Sequence, residues 1–227
     1  SRRAHFTIEK NLRFFQWKYG RGYPLQPQTN LCRLVKFEIE FKSKGKMAIY
    51  HFSVKTISRS AGRSAVACSA YRSGEKLIDE RQGKEQDYTR KTGVEFTKIY
   101  APENTNPELL DRNQLWNTVE KVERRKDANL AREFEIAFPH ELNAEQRQSM
   151  LNEICQELVK RHGVVVDAAI HAPHTQSGSD ERNYHAHIMF TGRQIDLETG
   201  DFAKKRNRDF NKENSSQTVN QWRETFA

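Results

Sequence analysis

His185-Ala186-His187 places two imidazoles two residues apart. In a strand the side-chain period of two sends both rings to one face, with Cα atoms about 6.5 Å apart, a gap that a single metal ion can bridge. His171 would end the preceding strand. If those two strands pair antiparallel, the polar loop Pro173 to Tyr184 returns His171 beside the pair, and three imidazoles with an open position make the catalytic rather than the closed structural pattern. His174, in the loop past Pro173, competes for the third place. The ordinary reading of an isolated His-x-His is a pair of hydrogen-bonded surface groups. The additional upstream histidine favours the metal.

Two further residue types could serve such a centre. Glu133 and Glu135 alternate along one side of a neighbouring strand. A carboxylate that accepts the second N–H of a ligating imidazole fixes its tautomer and raises its basicity, and Glu135 is the choice for that role over the alternative of a solvated strand face. Tyr71 lies near the end of a small-residue helix among Arg63, Arg72 and Lys76. A phenol titrates near pH 10 and is a weak nucleophile, but a metal and arginine donors favour its phenolate. Tyr88 is the rival, and a packed core tyrosine is the plain alternative for both.

The elements that must position these groups read as follows. Val35, Phe37, Ile39 and Phe41 alternate with charged residues, and Ala48 to Thr56 alternates again after the turn Ser43 to Lys46, so the two could form a hairpin. Ser58 to Arg72 is rich in Ser, Ala and Arg, and within it Ala65, Val66, Cys68 and Ala70 predict a small-residue helix that Gly74 caps and that can lie close to a sheet. Gln82 to Thr92 reads as loop. Asn106-Pro107 starts a helix carrying Leu109 to Val122. Arg132 to Pro139 alternates as a strand with Phe134, Ile136 and Phe138 on one face. Asn143 caps a helix with Met150, Leu151, Ile154, Leu158 and Val159, closed by His162-Gly163. Val164 to Ala172 and Ala186 to Thr191 are strands, and Val219, Trp222 and Phe226 give a last helical pattern. Strands and helices mixed over short connections predict an α+β fold with a mainly antiparallel central sheet flanked by helices.

The 227 residues suit one domain with an appendage. No apolar run approaches the ~18 residues of a membrane span, and no signal core follows the N-terminal arginines. Cys32, Cys68 and Cys155 are scattered without a CxxC, which fits a reducing cytoplasm. The net charge of +8 is confined to residues 1–46, which hold 11 Lys+Arg against 3 Asp+Glu. The remainder is neutral, so an anion site must come from local clustering such as Lys204, Lys205, Arg206, Arg208 and Lys212, for which a solvated charge run is the alternative. Met47 offers a second start. Residues 1–46 are then a basic extension, with one extra strand as the structural option, and 47–227 the functional domain.

Three segments together resemble the MobA/MobL (MobQ-type) plasmid relaxases of the HUH endonuclease superfamily. They are Met47 to Thr56 with Ser58-Arg59-Ser60 and Ala70-Tyr71-Arg72-Ser73-Gly74-Glu75; Ala131-Arg132-Glu133 through Glu135, Ala137, Pro139 and Glu141-Leu142; and Ile170-His171-Ala172 with Asn183 to Met189, Arg193 and the Lys205 to Arg208 region. The resemblance covers residues 47–227. It implies a palm-like relaxase fold, with Tyr71 as nucleophile, His171, His185 and His187 as metal triad and Glu135 as the acid beside them. Tyr184 stands where the family usually has Pro before the His pair.

The activity implied is metal-assisted transesterification of single-stranded DNA at the nic site of a transfer origin. It would leave a 5′-phosphotyrosyl adduct and a free 3′-OH and start conjugative transfer, using Mn²⁺ or Mg²⁺, with Zn²⁺ a further option. Arg63, Arg72, Lys204, Lys205, Arg206 and Arg208 would contact the DNA, with affinity falling as salt rises. Accessory relaxosome proteins and a type IV secretion coupling protein are the implied partners, in the bacterial cytoplasm, and the chain is expected to be a fragment of a longer protein. Three rivals remain: a His₃ hydrolase that activates water while Tyr71 merely packs, a DNA-binding module without catalysis, and a rolling-circle replication initiator. In the last, the tyrosine usually follows the histidine pair, whereas Tyr71 precedes it.

Overall fold

The computed structural model describes residues 51–173 and 183–226. The strand expected over residues 35–41, its hairpin with the following segment, and His174 lie outside them. Alternating apolar residues build the sheet: β1 (Phe52–Ser58), β5 (Asn129–Ala137), β7 (His185–Ile195), β6 (Val164–His171) and β4 (Val94–Tyr100) lie side by side in that order, all antiparallel, and β8 (Phe202–Arg206) pairs with the far end of β7. A separate two-stranded sheet joins β2 (Lys76–Asp79) to β3 (Lys84–Asp87). The expected α+β architecture with an antiparallel central sheet is what the chain forms.

Period-two alternation gives the sheet two faces, each covered by helices. On one face Ile57, Ala131, Val165 and Met189 pack with α1 (Ala65–Ser73) and α2 (Arg112–Val122) through Ala65, Val66, Ala70, Leu115, Trp116 and Val119, all buried. Phe134 anchors the other face, with Phe190 at 5.0 Å and Trp222 at 5.4 Å between ring centroids, Trp222 being brought by α4 (Ser215–Phe226). Helix α3 (Ala144–His162) packs on β6 and β4. Its Asn143 cap and Gln146 form a reciprocal capping box, and Gly163 ends it at φ 64°.

Two local expectations need correction, and two further segments are filled in. The small-residue helix spans Ala65–Ser73 with Gly74 as its C-cap; ahead of it Arg59–Ala61 form a 3₁₀ turn and Ser64 supplies the N-cap, its side chain accepting from Ala67 N–H. Asn106-Pro107 starts a short 3₁₀ turn, Pro107–Leu110, and α2 takes Asp111 as its own cap. The presumed loop from Gln82 contains β3. The basic segment 202–206 is a strand.

α1 is held by polar ties. Its N-terminal Ala65 N–H donates to the buried Glu120 carboxylate at 3.0 Å, where the helix dipole favours negative charge. From β6, Asp167 accepts from Ser69 Oγ (2.6 Å), Trp116 Nε1 (2.8 Å) and Arg112 Nε (3.0 Å), joining α1, α2 and the sheet. No helix among the described residues is long and apolar enough to cross a membrane.

Candidate metal centre and nucleophile

The sheet register assembles the histidines. His171, the last residue of β6, stands directly opposite His185, the first of β7, and Ala169 stands opposite His187. All three imidazoles therefore leave the same face at the same end of adjacent strands. Ring centroids are 4.7 to 5.6 Å apart, and one nitrogen from each ring lies within 4.8 Å of the others. Nitrogens that close can share one ion after small rotamer adjustments. Burial, with the neighbouring imidazoles and Lys91 adding to it against a hydrogen bond to the Arg72 carbonyl, pulls His171 down to about 3. It is neutral at physiological pH, the form that binds metal.

The acid that orients His187 is Glu133. Its carboxylate is fully buried and accepts from His187 Nδ1 at 2.7 Å, and Arg72 grips it through Nε (2.5 Å) and Nη2 (2.6 Å). Burial would raise this carboxyl, yet the His187 and Arg72 hydrogen bonds outweigh it and hold it at about 2. The donated Nδ1–H leaves Nε2 of His187 as its free ligand nitrogen. Glu135, expected in this role, is the direct cross-strand neighbour of His187, but its carboxylate stays 3.8 Å from Nδ1 and pairs with Lys55. The imidazole reaches the diagonal neighbour instead, a contact available on a twisted sheet.

Tyr71 sits in the last turn of α1 and is 47% exposed. Tyr88 packs edge-on against it at 5.4 Å and sits partly buried on the core, so the exposed phenol of the pair is Tyr71. α1 and β6 meet here, since His171 Nε2 lies 2.7 Å from the Arg72 carbonyl oxygen. Lys91, between β3 and β4, spans the same junction. Its Nζ donates to the Tyr71 carbonyl at 2.8 Å, lies 3.8 Å above the Tyr71 ring and is 3.4 Å from His171 Nε2. Burial and the Arg72 charge bring Lys91 down to about 8.

The DNA-contact residues inferred from sequence divide into two groups. Arg63, Lys204, Lys205 and Arg208 are exposed. Arg72 is committed to Glu133 and to the Cys68 carbonyl, with its side chain only 14% exposed, so it is a support for the histidines rather than a free phosphate contact. Arg206 likewise pairs with Glu123 at 2.9 Å and with the Asn129 carbonyl. β8 joins β7 around Arg193, six residues and about 20 Å along the strand from His187, so the basic segment does not border the imidazoles. Lys91 escaped sequence reading because it stands in a polar stretch with no periodicity. Glu133 was visible beside Glu135, and only the sheet geometry separates them.

Comparison with known proteins matches this arrangement to a family. "Mobilization protein MobL" of Acidithiobacillus ferridurans is 40% identical over 178 residues, 70% of this chain and 46% of that protein. "Probable mobilization protein MobA" of Bifidobacterium longum is 36% identical over 162 residues, 71% of this chain and 28% of that protein. The chain thus spans less than half the length of these curated relatives. A solved structure described as "Molecular Basis of Vancomycin Resistance Transfer in Staphylococcus aureus" superposes with a TM-score of 0.66 at 31% identity, over 77% of this chain and 89% of that one. The MobA/MobL family profile matches residues 63–227, which include Tyr71, both acids and all three histidines. With fold, sequence and cluster in agreement, the chain belongs to the MobA/MobL family.

Proposed function

We propose that residues 47–227 form a relaxase domain that acts in conjugative mobilisation, nicking one DNA strand at a transfer origin in the bacterial cytoplasm. Relatives named for mobilisation and conjugal transfer support the role. The observation that carries the chemistry is the convergence, at one end of the sheet, of three imidazoles and the half-exposed Tyr71, with Lys91 touching both.

His171, His185 and His187 would hold a divalent ion, Mn²⁺ or Mg²⁺ with Zn²⁺ a further option; when bound, it supplies positive charge to a non-bridging oxygen of the scissile phosphate. Glu133 keeps the His187 tautomer that presents Nε2, and Arg72 keeps Glu133 ionised. Tyr71 Oη attacks phosphorus in line, forming a P–O bond as the bond to the 3′ oxygen breaks. The phenolic proton passes to solvent and the departing 3′ oxygen takes one back, so the products are a 5′-phosphotyrosine and a 3′-OH. One ester replaces another, and the reverse reaction can rejoin the ends without ATP. Exposed Arg63, Lys204, Lys205 and Arg208 contribute backbone contacts at a distance from the reacting phosphate.

The test is to incubate the protein with a randomised single-stranded DNA pool and Mn²⁺, recover covalent adducts after denaturation, and sequence them. A defined cleavage sequence is expected, with adduct formation abolished in Tyr71→Phe. Cleavage that persists in Tyr71→Phe would instead identify water as the nucleophile.

A further inference from the structure

Lys91 belongs to neither group that the sequence singled out, yet its ammonium bonds the Tyr71 carbonyl, covers the Tyr71 ring and reaches His171. Its own backbone is braced. Thr89 donates to Asp87 through both N–H and hydroxyl, and Lys91 N–H closes a turn on the Tyr88 carbonyl at 2.9 Å. Beyond the turn, Ala172 N–H donates to the Gly93 carbonyl at 2.7 Å, fastening the segment beside His171. Tyr88 N–H donates to Glu75 O, just past the end of α1. The segment 87–93 is therefore pinned to both elements that meet at the site.

The second feature is what Lys91 lacks. Among the described residues no carboxylate lies within ion-pair distance of its Nζ, whereas Lys55, Lys76 and Lys121 each have one. A half-buried ammonium without an acid, set against a ring, a carbonyl and an imidazole, keeps donor capacity and charge for an anion arriving there. The half-exposed Tyr71 ring is held by two contacts, this ammonium above it and Tyr88 packed edge-on at 5.4 Å.

Resting on the relaxase reading above, we propose that Lys91 is a positioning residue for strand transfer: it holds the Tyr71 ring at the edge of the histidine cluster and presents an N–H to the scissile phosphate. The ring contact is a cation–π interaction that favours one placement of the phenol. Misplacing a nucleophile by about 1 Å costs on the order of 100-fold in rate, so the contact acts on the chemical step more than on DNA affinity.

The experiment uses Lys91→Met, which keeps the stem's length and loses the charge, and Lys91→Arg, which keeps the charge. Single-turnover adduct formation is measured at saturating concentration of the oligonucleotide recovered above, alongside its Kd. In parallel, 3-fluorotyrosine is placed at position 71 and its ¹⁹F resonance is read without DNA. Lys91→Met should slow the reaction about 10- to 100-fold while Kd changes less than about threefold, and should shift the fluorine resonance; Lys91→Arg should restore much of both. An unchanged fluorine resonance, or a rate within about twofold of wild type, overturns the proposal. If the wild-type chain forms no adduct, the relaxase reading itself fails, and the fluorine measurement still decides whether Lys91 places the ring.

Discussion

Exchanging Glu133 for Gln separates the acid that supports the histidines from the one that merely adjoins them. The buried carboxylate takes two hydrogen bonds from Arg72 and one from His187. Its pKa drops from the ordinary 4.5 to about 2, and at 1.36 kcal/mol per pH unit that depression is worth about 3 kcal/mol. Breaking one side of a buried ion pair costs a similar 3–5 kcal/mol or so, because Arg72 is left uncompensated. A domain of this size loses about 2–4 °C per kcal/mol, so the metal-free Glu133→Gln variant should melt roughly 6–12 °C below wild type. Because the folded-state pKa is depressed, the stabilisation is complete above about 4.5 and fades as pH falls toward 2; the gap between wild type and variant should narrow over that range in a calorimetric series. Mn²⁺ affinity by titration calorimetry should fall about 10- to 100-fold as His187 loses its fixed tautomer. Glu135→Gln gives up a contact with the exposed Lys55, and its melting shift should be about 2 °C or less. Equal effects of the two substitutions, or a larger one at Glu135, would refute the assignment of the orienting role to Glu133.

Two other outcomes follow from the same geometry. Mn²⁺ at about 100 times its Kd should stabilise the wild-type chain by about 2.7 kcal/mol in thermal melts, and His187→Ala should erase that gain; a metal-induced shift that survives the substitution would place the ion elsewhere. Asp167→Asn should lower stability in urea by about 2–4 kcal/mol, since Arg112, Trp116 and Ser69 all donate to that carboxylate, and a loss below about 1 kcal/mol would show that the tie between α1 and the sheet is dispensable.

Sequence reading succeeded where a local period coincided with a local signal. Phe134, Ile136 and Phe138 alternate strictly, Asn143 and Gly163 mark both ends of α3, and the two-residue spacing of His185 and His187 needs only a strand to bring the rings together. β4 went unread because it is half-buried, with Glu95, Thr97 and Lys98 interrupting its apolar positions. β3 carries no apolar residue at all, and it is held by pairing with β2 across a turn containing Gly83. Within the site, chain-local rules could not choose between Glu133 and Glu135, since both share a face and the choice lies in a diagonal contact. Arg72 and Arg206 looked like phosphate contacts because their acidic partners, Glu133 and Glu123, come from distant segments.

α1 contributes mostly small side chains, so it lies close to the sheet with little bulk to stop it sliding. What indexes it is the Ser69 hydroxyl seated on Asp167 and the Glu120 carboxylate at its first turn. A shift by one helical turn, about 5.4 Å, would take the Ser69 hydroxyl from Asp167 and the Ala65 N–H from Glu120, leaving those carboxylates to Arg112, Trp116 and Arg59, and would carry the phenol away from the imidazoles. The helix is thus a key with two polar notches, and relocating the nucleophile would require recutting Ser69, Asp167 and Glu120 together.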